Sequence, residues 1–240
     1  MNNVYAIIPA RSGSKGVKDK NIKDLCGHSL LEWAIASAKK SILISEIIIS
    51  TDSNLYADIA RNNGIDVPFL RPDSISGDNA SDIEFVIHVI KELEKLNKRP
   101  DFLVQLRPTT PLRDPAIIDD AIDSFIKNDE YTSLRSVHKM SESSYKTLEI
   151  NNNCLTPLSI FGDNPPDVNA PRQNFPETYQ PNGYIDILCV KNILNTKNIH
   201  GNKIFPYITD VAYEIDSIED FDFLEYSAAK SIHIIDKLFN

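Results

Sequence analysis

Val4-Tyr5-Ala6-Ile7-Ile8-Pro9-Ala10-Arg11-Ser12-Gly13-Ser14-Lys15-Gly16 begins as an apolar, β-branched run, is halted by a proline, and continues as a loop of serine, glycine and cations. Val4 to Ile8 reads as a strand buried on both faces, because the run is short, continuous and bounded by turn residues. Beyond the loop, Ser29 to Ala38 sets Leu30, Trp33, Ala34 and Ser37 at helical spacing. Strand and helix then keep alternating. Glu46 to Ser50 is a second strand around Ile47-Ile48-Ile49, and Asn54 to Asn62 is a helix that Gly64 closes. Val67 to Leu70 reads as a third short strand. Asp82 to Leu96 is the clearest helix, with Ile83, Val86, Ile87, Ile90 and Leu93 on one stripe. Phe102 to Leu106 is another strand, and Pro115 to Asn128 a helix with proline in its first turn. This rhythm predicts an α/β fold: a mostly parallel, twisted sheet with helices on both faces and right-handed crossovers. Ligands of such sheets sit beyond the carboxyl ends of the strands, so the loops at Arg11, Thr51-Asp52 and Arg107 should share one edge.

The rhythm breaks between Met140 and Pro181, where Asn151-Asn152-Asn153 and several prolines interrupt any long periodic segment. A region of that length without clear elements is either disordered or functional. Its apolar residues, among them Leu148, Ile150, Leu155, Phe161 and Tyr179, favour an ordered arm with a hairpin at the asparagines. The expected organisation is one domain over residues 1–240, with residues 140–181 projecting from it as a dimerisation arm. Tyr184 to Cys189 and Val211 to Ile215 read as strands, and Ser217 with Asp220 as a capping-box start for the final helix.

Composition narrows the function classes. With 42% hydrophobic and 25% charged residues in 240, the chain is globular rather than disordered. Its net charge is −9, which argues against a dedicated nucleic-acid binder. No apolar run reaches the roughly 18 residues of a membrane span, and Tyr5 to Ala10 is too short for a secretory signal, so the expected location is the cytoplasm. Cys26, Cys154 and Cys189 fit neither a zinc spacing nor a disulfide framework. Acidity does not exclude an anionic ligand, because local charge dominates within a Debye length of about 8 Å. Between Arg11 and Lys23 stand Arg11, Lys15, Lys18, Lys20 and Lys23 against Asp19 alone. Backbone amides freed by glycine, together with cations, are what a phosphate needs. The loop is neither a Walker A sequence nor a dinucleotide fingerprint.

The run IIPARSGSKGVKDKNI from Ile7 resembles the signature loop of the acylneuraminate (CMP-sialic acid, or CMP-nonulosonic acid) cytidylyltransferase family. Similar stretches follow in order: LRPDSISGDNAS from Leu70, RPTTPLR from Arg107, PRQNFPETYQPNGYIDI from Pro171 and YEIDSIEDF from Tyr213. The resemblance implies a Rossmann-like nucleotidyltransferase that joins CTP to a nine-carbon 2-keto sugar acid, releases pyrophosphate and uses Mg²⁺. Arg11, Lys15 and Lys20 match the family's triphosphate contacts and would carry the catalysis, with Ser12 and Ser14 as further hydrogen-bond donors. Asn21 matches the ribose position. Arg71 with Asn79, Ala80 and Ser81 matches the segment that reads cytosine; the alternative for Arg71 is a structural ion pair. Arg107, Thr109, Arg172, Gln173, Tyr179 and Asn182 match the acceptor-sugar side. Comparable sialic-acid enzymes often carry glutamine where Arg107 stands and arginine where Gln180 stands. That difference points to a legionaminic-type relative of sialic acid, since polar mismatches discriminate strongly.

Glu214 and Asp216 alternate onto one face of the expected strand, where paired carboxylates suit a hard cation. The family usually has Asp-x-Asp, so Glu214 departs from the pattern and Asp216 keeps it. The resemblance also implies a homodimer whose arms complete each other's sites. His28, His88 and His138 have no metal spacing, and Cys26 and Cys189 read as inert packing residues. Asp52 is open between approaching the site and capping the next helix. The rival readings are a cytidylyltransferase for an eight-carbon acid such as 3-deoxy-manno-octulosonate, and a non-catalytic nucleotide-binding regulator.

Overall fold

A computed structural model describes residues 2–13, 16–158 and 167–240 of the chain. Strand β1 (Val4–Pro9) is followed by a short ribbon, β2 (Asp24–Leu25) with β3 (His28–Ser29), and by helix α1 (Leu30–Lys40). Next come β4 (Glu46–Ser50), α2 (Asn54–Asn62), α3 (Asp82–Lys95), β5 (Phe102–Gln105), α4 (Pro115–Ile126) and β6 (Ser133–Lys139). The hairpin strands β7 (Leu148–Asn151) and β8 (Cys154–Pro157) precede β9 (Tyr179–Cys189), α5 (Val190–Thr196), β10 (Ile204–Ile208), α6 (Ile218–Lys230) and α7 (Ile232–Phe239). The main sheet runs in the order β10-β6-β9-β5-β1-β4. β9 is antiparallel to both its neighbours, while the pairs β4–β1, β1–β5 and β6–β10 are parallel. The expected mostly parallel α/β sheet is therefore present, divided by one reversed strand.

Side-chain alternation along β1 builds the layers. Val4, Ala6 and Ile8 pack with α1, α2 and α4 on one face, while Tyr5 and Ile7 pack with α3 and α5 on the other. Local chemistry starts each helix. Ser29 and Glu32 form a capping box for α1, Ser53 accepts from the Tyr56 amide at α2, and Asp114 followed by Pro115 opens α4. A third cluster joins Val17, Leu25, Leu30 and Trp33 to Ile215, Phe221, Leu224 and Leu238. Trp33 is fully buried there and donates its indole N–H to the Leu25 carbonyl at 3.0 Å. This cluster matters for function, because it carries the segment around Ile215 back against the loop that follows β1.

Several elements differ from the expectation. Val67 to Leu70 is not a strand: Pro68 has no N–H to give a ladder, and the run is anchored instead by the Arg71 amide, 2.7 Å from the Thr51 carbonyl. Val211 to Ile215 is also irregular, although Ile215 is buried between exposed Glu214 and Asp216 as a strand would have it. The Ile215 amide bonds the Thr109 carbonyl at 3.0 Å, a loop-to-loop contact rather than a ladder. β6 and β10 were not anticipated, and β9 begins five residues before the expected Tyr184. The Ser217–Asp220 capping box does start α6, but α7 follows it. The expected hairpin is present. Asn152 and Asn153, at φ 50° and 62°, form its two-residue turn between β7 and β8, as asparagine tolerates the left-handed region.

Candidate active site

A cleft of about 360 Å³ opens beyond the carboxyl ends of β1 and β5. Its walls gather Arg11, Lys20, Asn21, Arg71, Ala80, Arg107, Thr109 and Asp216 from segments spread over the chain. Arg11 pairs with Asp78 at 2.9 Å. Asn21 is buried and donates from Nδ2 to the Arg11 carbonyl at 3.0 Å, so it holds the loop as well as lining the cleft. Lys20 donates to the Ile215 carbonyl at 2.5 Å and meets Asp216 Oδ1 at 3.1 Å. Gly16 completes this seam, because a Cβ there would collide with the backbone carbonyl of Asp216. Ser14 and Lys15 lie outside the described residues. Ser12 is described and is not on the cleft wall. Its amide and hydroxyl donate to the two oxygens of Asp52, at 2.8 and 2.7 Å. Asp52 therefore does not cap α2; Ser53 does.

Arg71 is 5% exposed and makes no ion pair among the described residues. It donates from Nε to Ser50 Oγ at 3.0 Å and from Nη2 to the Ser50 carbonyl at 2.7 Å, and its guanidinium lies 4.6 Å from the Phe85 ring centre. Burial pulls its pKa down to about 10, and the charges of Asp52 and Asp82 oppose the fall. Ala80 joins the wall beside it, whereas Asn79 and Ser81 do not. Ser81 starts α3, its amide and hydroxyl both donating to Glu84.

At the other end, Arg107 lies between two carboxylates. Nη1 reaches Asp186 at 2.8 Å and Nη2 reaches Asp82 at 2.6 Å. Burial works against its charge, but Asp186 and Asp82 outweigh it and hold the guanidinium above its usual range. Gln105 also donates to Asp82 Oδ2, at 3.1 Å, and Arg135 faces Asp186 from 3.7 Å. The result is an alternating chain, Asp82–Arg107–Asp186–Arg135, that balances the charge of Arg107. Thr109 donates to Glu214 at 3.0 Å. Glu214 is off the cleft wall, whereas Asp216 is on it, so the two acids do different things. Behind them, fully buried Arg113 donates to three backbone carbonyls: Tyr184 at 2.5 Å, and Arg107 and Gly183 at 2.9 Å. Burial lowers its pKa to about 9.

The remaining sugar-side candidates stand elsewhere. Asn182 is buried and donates to Thr209 Oγ1 at 2.7 Å. Arg172 and Gln173 line a separate cavity of about 370 Å³ on the arm, with Lys139, Met140 and Phe175. Arg172 donates there to the Met140 carbonyl at 2.9 Å, and Tyr179 donates to Glu177 at 2.9 Å. The structure thus brings Arg107 and Thr109 to the cleft and leaves Arg172, Gln173 and Tyr179 on the arm. Sequence reasoning missed Asp82, Asp186 and Arg113. Arg113 closes the RPTTPLR stretch and could have been singled out, but nothing local marks Asp186 as a partner of Arg107. Of the three histidines without metal spacing, His28 stacks on Phe239 at 3.6 Å and His88 meets Phe69 edge to face. Cys26, expected to pack, is instead exposed in a turn at φ 54°.

A cationic cleft at the carboxyl edge of such a sheet, with Asp82 and Asp216 also on its wall, suits a phosphorylated nucleotide. The cytidylyltransferase family model matches residues 5–158, and the chain belongs to that family. It is 32% identical over 220 residues to the N-acylneuraminate cytidylyltransferase of Escherichia coli O18:K1:H7, covering 92% of this chain but only 50% of that protein. It is 28% identical to the CMP-N,N'-diacetyllegionaminic acid synthase of Legionella pneumophila, covering 90% of each chain. It is 30% identical to the post-translational flagellin modification protein B of Campylobacter coli, covering 94% of this chain and 95% of that one. Among solved structures, a CMP:2-keto-3-deoxy-manno-octonic acid synthetase complexed with CTP superposes with TM-score 0.69 at 13% identity, over 95% of this chain and 99% of that one. The last likeness establishes a shared fold.

Proposed function

We propose that the chain transfers CMP from CTP to the anomeric hydroxyl of a nonulosonic acid of the sialic or legionaminic type, releasing pyrophosphate. The observation that carries this reading is the cleft itself, where Arg11, Lys20 and Arg71 converge with Asp216. In-line transfer at the α-phosphorus needs the triphosphate held still and its developing charge neutralised. Arg11 and Lys20 do this on the phosphate side, with Lys15 and Ser14 assigned to the same loop by its sequence. Arg71 and the backbone near Ala80 take the cytosine, and Asn21 takes the ribose. Both cations now face carboxylates, Asp78 and Asp216, which the triphosphate would replace.

Asp216 fits a magnesium ion delivered with CTP. Among the described residues no cluster of three or more His, Cys, Asp or Glu could hold a metal. Mg²⁺ commonly needs only one or two carboxylates besides substrate phosphates and water. Asp216, with a side chain 78% exposed on the cleft wall, supplies one. Glu214, which accepts the Thr109 hydroxyl, supports that wall and would assist Asp216 in holding the ion. When bound, the ion neutralises phosphate charge and helps the leaving pyrophosphate.

The acceptor sits towards Arg107 and Thr109. Because Asp82 and Asp186 balance Arg107, this end offers a fixed acceptor beside a fixed donor rather than a bare cation. That pairing suits an N-acyl group, which supports a diacetamido sugar of the legionaminic type. Arg172, Gln173 and Tyr179 reach an acceptor only if another chain's arm enters the cleft, which supports a homodimer with shared sites. Pyrophosphate release from CTP and Mg²⁺ with a panel of acceptors tests the reading. The panel contains a diacetylated legionaminic acid, N-acetylneuraminic acid and 3-deoxy-manno-octulosonate. Turnover with the eight-carbon acid alone, or with none, would overturn it.

A further inference from the structure

We infer that Asp52 is a positioning residue that sets the phosphate loop for CTP by gripping Ser12. The grip has two points. One carboxylate oxygen accepts the Ser12 amide at 2.8 Å and the other accepts its hydroxyl at 2.7 Å, across forty residues of sequence. Charge-assisted bonds of this kind are stronger than neutral ones, and two together fix orientation as well as distance. Ser12 immediately follows Arg11, whose guanidinium is on the cleft wall, while neither Ser12 nor Asp52 is. Asp52 therefore acts on the ligand through the loop.

Its location adds a second link. Ser50, Thr51 and Asp52 end β4 and the turn after it, and all three hold cleft segments. Ser50 receives the Arg71 guanidinium through its hydroxyl and carbonyl, and that carbonyl also accepts the Ala10 amide at 3.0 Å. Thr51 receives the Arg71 amide at 2.7 Å, and Asp52 receives Ser12. The phosphate side and the base side of the cleft are thus referenced to one tripeptide. Asn21 fixes the same loop from the other flank, at the Arg11 carbonyl. With Asp52 in place, CTP meets Arg11 already aimed, rather than ordering the loop as it binds.

The inference rests on the loop being the triphosphate contact, so the test measures both. Asp52→Asn, Ser12→Ala, their double variant and Arg11→Ala are compared by calorimetric binding of CTP with Mg²⁺ and by steady-state kinetics. Asparagine keeps the size of Asp52 but turns one acceptor into a donor facing a donor. Asp52→Asn is expected to weaken CTP binding about tenfold to hundredfold, the range for a hydrogen bond to a charged group. The KM for the sugar acid and the thermal midpoint should change little, a split that a merely structural role would not give. In the Ser12→Ala background the effect of Asp52→Asn should shrink, because one of its two contacts is already gone. Normal CTP affinity in Asp52→Asn, with loss in Arg11→Ala, would overturn the inference and leave the loop reading intact. Normal affinity in both would overturn the loop reading and the inference with it. Effects that add fully in the double variant, or a changed Mg²⁺ requirement at unchanged CTP affinity, would also overturn it.

Discussion

Arg11 and Asp216 show how much one side chain decides in this cleft. Arg11 is a loop cation with little packing, so Arg11→Ala should leave the thermal midpoint unchanged. Turnover should fall by about 10²–10³, the usual cost of removing one charge-stabilising donor. Rate assays beside a melting curve check both halves. For Asp216→Asn, activity titrated against Mg²⁺ should saturate only at higher metal concentration; an unchanged curve would mean that Asp216 serves Lys20 alone. Which residues line the cleft was partly legible in the sequence, because a loop after a strand can be placed at the ligand edge from the strand–helix rhythm. Arg11 and Arg107 were placed that way, and Lys20, Asn21 and Arg71 came from the family resemblance. The acids that face the arginines were not legible. Asp78, Asp82 and Asp186 meet Arg11 and Arg107 across long sequence separations, and no local spacing encodes a contact that the sheet creates. The charge balance of Arg107 therefore becomes visible only once β5, α3 and β9 stand side by side.

At the scale of elements, the loop from Arg107 to Arg113 and the start of β9 behave as one piece. Arg113 bonds carbonyls on both, and the Tyr184 hydroxyl accepts the Asp114 amide at 2.6 Å. Arg113→Met should remove all three bonds and leave buried carbonyls without donors. We expect a loss of about 3 kcal/mol or more by denaturant unfolding, from orphaned acceptors at roughly 1–3 kcal/mol each. The sugar-side KM should rise with it, since Arg107 and Asn182 flank the latch. The sequence disclosed α1 to α4 because each carries a cap and an apolar stripe. It hid β6 and β10, whose apolar runs are broken by Arg135 and His138 in one and by Pro206 in the other. It suggested a strand at Val211 to Ile215, where alternation is real but the Ile215 amide meets a loop carbonyl, that of Thr109, instead of a strand. Alternation records which side faces the core, and a ladder also needs a partner within reach.

For the whole molecule, the hairpin β7–β8 bears on the proposed dimer. Its hairpin forms a separate two-stranded sheet, and Ile150 and Leu155 on it are 78% and 68% exposed. Exposed apolar residues on a separate hairpin favour a partner surface. Light scattering at low micromolar concentration should give twice 27.0 kDa, and a 27.0 kDa particle at full activity would contradict a dimer. Mixing inactive Arg11→Ala with an inactive Arg172→Ala chain should restore one competent site per heterodimer. Stability should also depend on pH through His200. Burial chiefly holds its pKa below 6.5; Asp186 and Asp82 push it up, while Arg135 and Arg107 push it down. The unfolded chain then binds the proton more readily, so stability should fall as pH drops through 6.5. His200→Gln should flatten that acid limb in melts recorded from pH 7 to pH 5.

β9 has a consequence for the order in which the chain is assembled. Its five parallel companions fall into two groups, β4-β1-β5 and β6-β10, and only β9 carries hydrogen bonds between them. A ribosome delivers β1, β4, β5 and β6 well before residue 179, whereas β10 follows β9, so β5 waits with an open edge and β6 with two. Until the closing strand emerges, β5 and β6 present unpaired backbone to any other nascent chain, the usual route to aggregation. Synthesis stalled or truncated before Tyr179 should yield insoluble chains, whereas truncation within α7 leaves the β5–β9–β6 pairing intact.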